Sequence, residues 1–163
     1  TTLGDDGFPR ARVVLLKDFS EEGFVFFTNY NSEKGKSVLN YSKVGLSFYW
    51  PSLERQIIIK GEAEKLSAEK SDQYFDSRPR GSQLGAHVSP QSEVIPDRKF
   101  LEDLQSSLEK KFNNIKIPRP DHWGGILVRP YEIEFWQGRP NRLHDRICSY
   151  FNGIDWKSKR LAP

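Results

Sequence analysis

No methionine occurs among the 163 residues, and cysteine occurs once, at Cys148. A lone thiol excludes an internal disulfide framework and any cluster of cysteine metal ligands, and it suits a reducing compartment, so the cytoplasm is the expected location. The missing methionine predicts a further segment ahead of Thr1, where any targeting signal would lie. Long apolar runs are lacking too. The longest, Val13 to Leu16 and Phe24 to Phe27, are four residues, against roughly 20 for a helix that spans a bilayer; no membrane partner is expected. Nor is there a surplus of one charge: 25 Lys+Arg against 22 Asp+Glu leave +3. A polyanion binder needs a clustered basic stripe and a larger excess, so no nucleic-acid partner is expected. Metal is not expected either, because His87, His122 and His144 have no partner at ligand spacing. GxGxxG, Walker and nucleophile-elbow motifs are all missing, which removes the usual dinucleotide and hydrolase readings.

What the chain does have is rings and β-branched residues. Aromatics make up 13%, and the length suits one domain over residues 1–163. Ala11 to Phe19 and Gly23 to Asn29 read as a hairpin across Ser20–Gly23. Ser32 is placed to cap a short helix, Glu33 to Leu39. Lys43 to Trp50 and Arg55 to Leu66 read as strands, with Gly61 a bulge. Ser67 caps a helix that must stop at Arg78, because Pro79 disfavours helical backbone before it. Arg80 to Pro96 reads as a structured loop or short helical turns. Asp97 caps the longest helix, Arg98 to about Asn113, where Leu101, Leu104, Leu108 and Phe112 form a packing stripe. After a break at Ile117–Pro120, three strands follow: Gly125 to Trp136, Arg142 to Phe151 and Asp155 to Leu161. About seven antiparallel strands with a few helices predict a mainly β, α+β protein built on a small barrel.

Four groups of residues carry possible chemistry. If Arg142 to Phe151 is a strand, Arg142, His144 and Arg146 share one face, and three such side chains repel unless an anion lies among them or Asp145 and Glu134 pair with them. Trp136 offers a ring for stacking beside them. Tyr74 and Arg78 are four apart on a helix, with Ser82 just beyond, a donor set suited to a phosphate monoester. Arg12 and Lys17 flank Val13 to Leu16, on opposite faces of a regular strand. Thr28, Asn29, Ser32 and Lys34 surround a helix start, where free N–H groups favour an anion.

At these residues the sequence resembles the pyridoxamine/pyridoxine 5′-phosphate oxidases. Ile133-Glu134-Phe135-Trp136-Gln137, four residues, then Arg142-Leu143-His144-Asp145-Arg146 is similar to that family's C-terminal signature, and the chain closes on Arg160-Leu161-Ala162-Pro163 in the same manner. Arg12 to Lys17, Phe27-Thr28-Asn29, Glu54-Arg55-Gln56, Tyr74-Phe75, Ser77-Arg78-Pro79, Ser82-Gln83 and Gln91-Ser92 resemble further blocks in order. The resemblance implies an FMN-binding split β-barrel of antiparallel Greek-key type and a homodimer with FMN at its interface. It implies FMN contacts from Arg12, Val13, Val14, Leu15, Phe27, Thr28, Lys34, Gln56, Gln91, Ser92, Trp136 and Arg146. Lys17, Tyr74, Arg78 and Ser82 would bind the substrate phosphate, with Arg142 and His144 over the pyridine ring as the catalytic pair. The implied reaction oxidises pyridoxamine or pyridoxine 5′-phosphate to pyridoxal 5′-phosphate, with O₂ as acceptor and H₂O₂ as product. One position departs: Ser32-Glu33-Lys34 stands where the family usually carries Ser-Arg-Lys, which predicts weaker FMN binding. Glu33 also keeps open a second reading, a non-catalytic flavin- or pyridoxal-phosphate-binding barrel.

Overall fold

The computed structural model describes all residues from Thr1 to Pro163. Its main sheet is antiparallel throughout, with β3 (Asp18–Ser20), β4 (Gly23–Asn29), β7 (Trp123–Gln137), β6 (Arg55–Lys65) and β5 (Lys43–Trp50) in that order. Two further strands, β8 (Asp145–Phe151) and β9 (Trp156–Leu161), extend it from β7, while β1 (Thr2–Leu3) and β2 (Pro9–Arg10) form a separate hairpin. Four helices complete the fold: α1 (Glu33–Asn40), α2 (Ala68–Ser77), α3 (Arg80–Val88) and α4 (Arg98–Lys111). This is the expected α+β arrangement, and no helix is long and apolar enough to cross a membrane.

The 15-residue β7 is the spine. Its first half pairs with β4, from Trp123↔Asn29 to Val128↔Phe24, and its second half pairs with β8, from Glu132↔Tyr150 to Gln137↔Asp145. Along the other edge β6 pairs with both halves, through the bulge expected at Gly61. There Lys60 faces Glu132 and Gly61 faces Pro130, so Tyr131 is the extra residue. An extra residue shifts the two-residue alternation by one. Val128 therefore shares a face with Ile133 and Phe135, opposite Ala63, Ile59 and Ile57. A Cβ on Gly61 would lie 2.5 Å from the Arg129 carbonyl oxygen, which is why the bulge needs glycine.

Apolar side chains gather on both faces of the curled sheet. Phe26, Tyr30, Val38, Ala63, Ile126 and Val128 make one cluster. The other, Phe75, Leu84, Ala86, Phe112, Ile117 and Trp123, joins the sheet to the helices, with Leu108 of the α4 stripe packed against it.

Two expected strands are corrected. Of Ala11 to Phe19 only Asp18 and Phe19 belong to the strand that pairs with β4, and the last ladder bond runs from Lys17 N to Val25 O. Ahead of it the chain is drawn elsewhere: Arg12 Nη1 donates to Thr2 Oγ1 at 2.7 Å and Val14 packs on the first core cluster, leaving Val13 92% exposed. The strand expected from Arg142 begins at Asp145, because Asn141 and Arg142 have φ of 58° and 61°. Left-handed backbone cannot continue a strand, and Leu143 N instead closes a turn onto Pro140 O. Arg142, His144 and Arg146 therefore do not share a strand face. The Gly- and Ser-rich stretch after Pro79 opens with a full helix, α3, in place of short turns.

Candidate functional site

A pocket of about 650 Å³ opens between the coil Val13–Lys17, the end of β4, the start of α1 and the α2–α3 junction. Its floor begins with local chemistry at α1. Ser32 accepts a hydrogen bond from Gly35 N at 3.2 Å, and its hydroxyl donates to Asn29 O at 2.6 Å, so the helix start is pinned to the end of β4. Gly35 lets the first turn lie against the carbonyls of Asn29 and Tyr30, where a Cβ would collide. The helix therefore presents its N-terminus to the pocket, next to Thr28 and Lys34.

Lys34 and Arg12 supply the charge there. Lys34 also borders a small cavity of about 30 Å³ that Arg12 lines. Burial, and then the nearby Arg12 charge, hold the Lys34 ammonium below its usual range; burial, and then Arg10, do the same to Arg12. Neither has a carboxylate partner: Arg12 donates to Thr2, and Lys34 Nζ donates to Gln91 Oε1 at 3.1 Å. Two like charges losing water side by side repel, and an anion placed between them would relieve that repulsion. Ser92, with φ 76°, accepts from Glu33 N at 3.2 Å, so the Gln91–Ser92 loop folds over this helix start. Sequence reasoning missed one neighbour. Glu33 is ion-paired with Arg10, which also holds Asp6 at 2.6 Å. The contact joins β2 to α1 across 23 positions, and no local pattern announces it.

Opposite lie Lys17, Tyr74, Arg78 and Ser82, all lining the same pocket. Pro79 ends α2 at the Arg78 cap. The Arg78 guanidinium then lies 4.4 Å from the Trp123 ring centroid. Its Nη1 is buried without a hydrogen-bond partner, and burial lowers its pKa from the ordinary arginine value. The aromatic wall is layered: Phe27 stacks on Tyr74 at 3.8 Å and on Trp123 at 5.4 Å. Val13, Val14 and Leu15 complete the apolar side.

The remaining predicted residues form a separate group on the other half of the sheet. Gln56, Trp136 and Arg146 are opposite one another across β6, β7 and β8. The His144 ring lies 4.7 Å from that of Trp136, and Arg142 is exposed on the preceding turn. None of these five lines the pocket. Arg146 is already engaged, its fork on Glu134 at 2.8 and 3.0 Å and its Nη1 on Ala162 O. Asp145 accepts from Arg139 and Arg160 at 2.7 and 2.6 Å.

These pairs give a pH dependence. Hydrogen bonds from Arg146 hold the Glu134 carboxyl below its usual value, and those from Arg139, then Arg160, hold Asp145 below its own. Folding thus lowers both pKa values, so their contribution to stability is present above the unfolded values and lost as pH falls through the folded ones. Melting temperature measured against pH is expected to drop below about pH 4, and Glu134→Gln is expected to make that drop shallower.

A curled antiparallel sheet whose pocket joins a helix N-terminus, cations on two sides and a wall of flat rings defines a barrel protein with a site suited to planar, phosphorylated ligands. The sequence profile "Pyridoxamine 5′-phosphate oxidase" matches residues 1–104, and "Pyridoxine 5′-phosphate oxidase C-terminal dimerisation region" matches residues 123–163. The pyridoxine/pyridoxamine 5′-phosphate oxidase of Flavobacterium johnsoniae is 61% identical over 99% of this chain and 76% of its own length. The protein of the same name from Synechocystis is 53% identical over all of this chain and 76% of its own. Among solved structures, PhzG from Burkholderia lata, in complex with tetrahydrophenazine-1-carboxylic acid, superimposes with a TM-score of 0.93 at 29% identity, covering 99% of this chain and 79% of that one. A pyridoxamine 5′-phosphate oxidase-related FMN-binding protein from Nostoc punctiforme shares the fold, with a TM-score of 0.77 at 16% identity over 99% of this chain and 84% of that one. The chain belongs to the pyridoxamine 5′-phosphate oxidase family, and it is an FMN-dependent oxidoreductase with the split-barrel fold.

Proposed function

We propose that this protein oxidises pyridoxamine 5′-phosphate and pyridoxine 5′-phosphate to pyridoxal 5′-phosphate in the cytoplasm, as a homodimer with one active site at each end of the subunit interface. The observation that carries the reading is a pair of cationic groups without carboxylate partners at one pocket: Lys34, which Arg12 adjoins in the neighbouring small cavity, and Arg78 with Lys17. Two phosphorylated ligands sharing a site need two such groups.

In this reading Arg12 and Lys34 neutralise the flavin phosphate at the α1 N-terminus, with Gln91 and Ser92 closing over it. Val13, Val14, Leu15, Phe27 and Thr28 form the surface for the ring system. Lys17, Tyr74, Arg78 and Ser82 hold the substrate phosphate. FMN held here would supply the acceptor for the hydride leaving C4′, with O₂ taking up the two electrons as H₂O₂; for the amine substrate, water would supply the aldehyde oxygen and ammonia would leave. The protein's part is orientation: two rings fixed at reacting distance, with their phosphates neutralised.

The row of Gln56, Trp136 and Arg146, with His144 and Arg142, is on the half of the sheet that lines no part of the pocket. Most of it falls within the segment matching a dimerisation region. We infer that a second copy of the chain brings this row to the pocket, placing Arg142 and His144 over the substrate ring. On mixing FMN-loaded protein with pyridoxamine 5′-phosphate without oxygen, the flavin absorbance is expected to bleach; admitting O₂ should restore it with one H₂O₂ per aldehyde. Protein that binds FMN yet does not bleach would instead be the non-catalytic barrel.

Glu33 carries a prediction of its own. Its charge lies beside the flavin phosphate, partly offset by Arg10. Glu33→Arg is expected to lower the FMN dissociation constant by roughly three- to thirtyfold, the scale of a two-unit change of exposed charge at a helix start. Flavin fluorescence quenching measures it, and a constant no lower than the parent's rejects the idea.

A further inference from the structure

Asp145 opens β8 directly after the Arg142–His144 turn, lines no part of the pocket and joins two ion pairs. Its Oδ2 accepts from Arg139 Nε at 2.7 Å and its Oδ1 from Arg160 Nη1 at 2.6 Å. Arg139 precedes the turn that carries Arg142, while Arg160 belongs to β9, so one carboxylate ties the start of that turn to the far edge of the sheet. Between the two tethered ends the backbone is left-handed at Asn141, φ 58°, where asparagine tolerates it, and at Arg142, φ 61°, where arginine seldom does. Left-handed backbone at non-glycine residues persists only where the surroundings enforce it.

The tether has a second consequence. The Arg139 backbone amide donates to His144 Nδ1 at 3.1 Å. An amide nitrogen can only donate, so Nδ1 offers its lone pair and the ring proton resides on Nε2. The ring is held at the same time 4.7 Å from Trp136. Arg139 thus meets Asp145 with its side chain and His144 with its backbone.

We infer that Asp145 is a positioning residue for the oxidation: by fixing Arg139 and Arg160 it holds the Arg142 turn and sets His144 in the Nε2–H tautomer, with Nε2–H available to donate to the substrate. This rests on the reading that Arg142 and His144 work over the substrate ring. Asp145 itself touches no substrate. It acts through its two arginines.

The test uses the FMN-loaded dimer, ¹⁵N-labelled at histidine, with pyridoxamine 5′-phosphate as substrate. In the parent, long-range ¹H–¹⁵N correlation should show His144 as the Nε2–H tautomer. In Asp145→Asn, which keeps the shape but weakens both arginine bridges, His144 should become a mixture of tautomers. In parallel kcat should fall roughly 10- to 100-fold, as expected when a reacting group is misplaced by about an ångström, with the FMN dissociation constant unchanged. Arg139→Ala, which keeps the amide but removes the bridge, should reproduce both changes and serves if Asp145→Asn does not fold. A merely structural role would lower stability without moving the His144 nitrogen signals. Unchanged His144 signals and unchanged kcat in both variants, with His144→Ala strongly impaired, overturn the positioning role and leave the site reading standing. His144→Ala turning over like the parent overturns the site reading, and the inference with it.

Discussion

Arg78→Ala is expected to raise KM for pyridoxamine 5′-phosphate roughly 100-fold, equivalent to about 3 kcal/mol, the cost of losing a desolvated charge-assisted contact. The size follows from the surroundings of Arg78. Its guanidinium is pressed on the Trp123 ring, its Nη1 is buried without a protein partner, and burial disfavours its charge. A cation already partly desolvated meets a phosphate dianion at a reduced desolvation cost, so the interaction is worth more than a surface pair. Two controls separate binding from folding. The FMN dissociation constant should be unchanged, because Arg12 and Lys34 are assigned to that phosphate. The melting temperature without substrate should hold or rise, since removing a partly buried guanidinium with one buried, unpaired nitrogen relieves a cost. A variant with parental KM would move the substrate phosphate elsewhere in the pocket.

The parts of this fold that were legible beforehand are those set by local chemistry. Ser32, Ser67 and Asp97 cap their helices by accepting from the amides of Gly35, Lys70 and Phe100, each three residues on. Pro79 ends α2 where its ring forbids helical backbone. Gly61 sits in the bulge. The failures lie where distant contacts outweigh local preference. Val13 to Leu16 has every strand-forming residue, but Arg12 and Val14 are held by Thr2 and the first core cluster, so the segment leaves the ladder. Alternation placed Arg142 on a strand, and nothing in its own side chain reveals a positive φ; Asn141 and the preceding Pro140 were the signals available, since both belong to turns. The same limit applied to Glu33. Judged alone it opposes a phosphate, but Arg10 reaches it from another element and cancels part of its charge.

The site divides along the same boundary. Lys34, Thr28 and Phe27 are neighbours because β4 runs straight into α1, and Tyr74, Arg78 and Ser82 because α2 breaks at Pro79. Helix and strand periodicity suffices to group them. What brings those two sets together is the second core cluster, which seats α2 and α3 on the sheet through Phe75, Leu84 and Trp123.

Phe75→Ala is accordingly expected to lower stability by about 3–5 kcal/mol, the usual cost of emptying a phenylalanine site in a packed core. Phe75 is fully buried, edge-on to Trp123 at 5.3 Å and to His87 at 6.4 Å, with the Arg78 guanidinium 5.7 Å from its ring. No nearby side chain is free to swing in: Trp123 is stacked on Phe27, and His87 Nε2 is bonded to Pro118 O at 2.7 Å. In a chain of this length each kcal/mol moves the melting temperature by roughly 2–4 °C, so a fall of about 6–20 °C is expected by calorimetry of the FMN-free protein. The effect on function should be unequal. Phe75 lies between Tyr74 and Arg78 on α2, so the cavity loosens the substrate-phosphate group directly, whereas Lys34 and Arg12 rest on α1 and the other core cluster. Protein that remains folded should bind FMN with near-parental affinity while KM for pyridoxamine 5′-phosphate rises. Equal losses of FMN and substrate affinity would show instead that the two phosphate groups are coupled through the sheet.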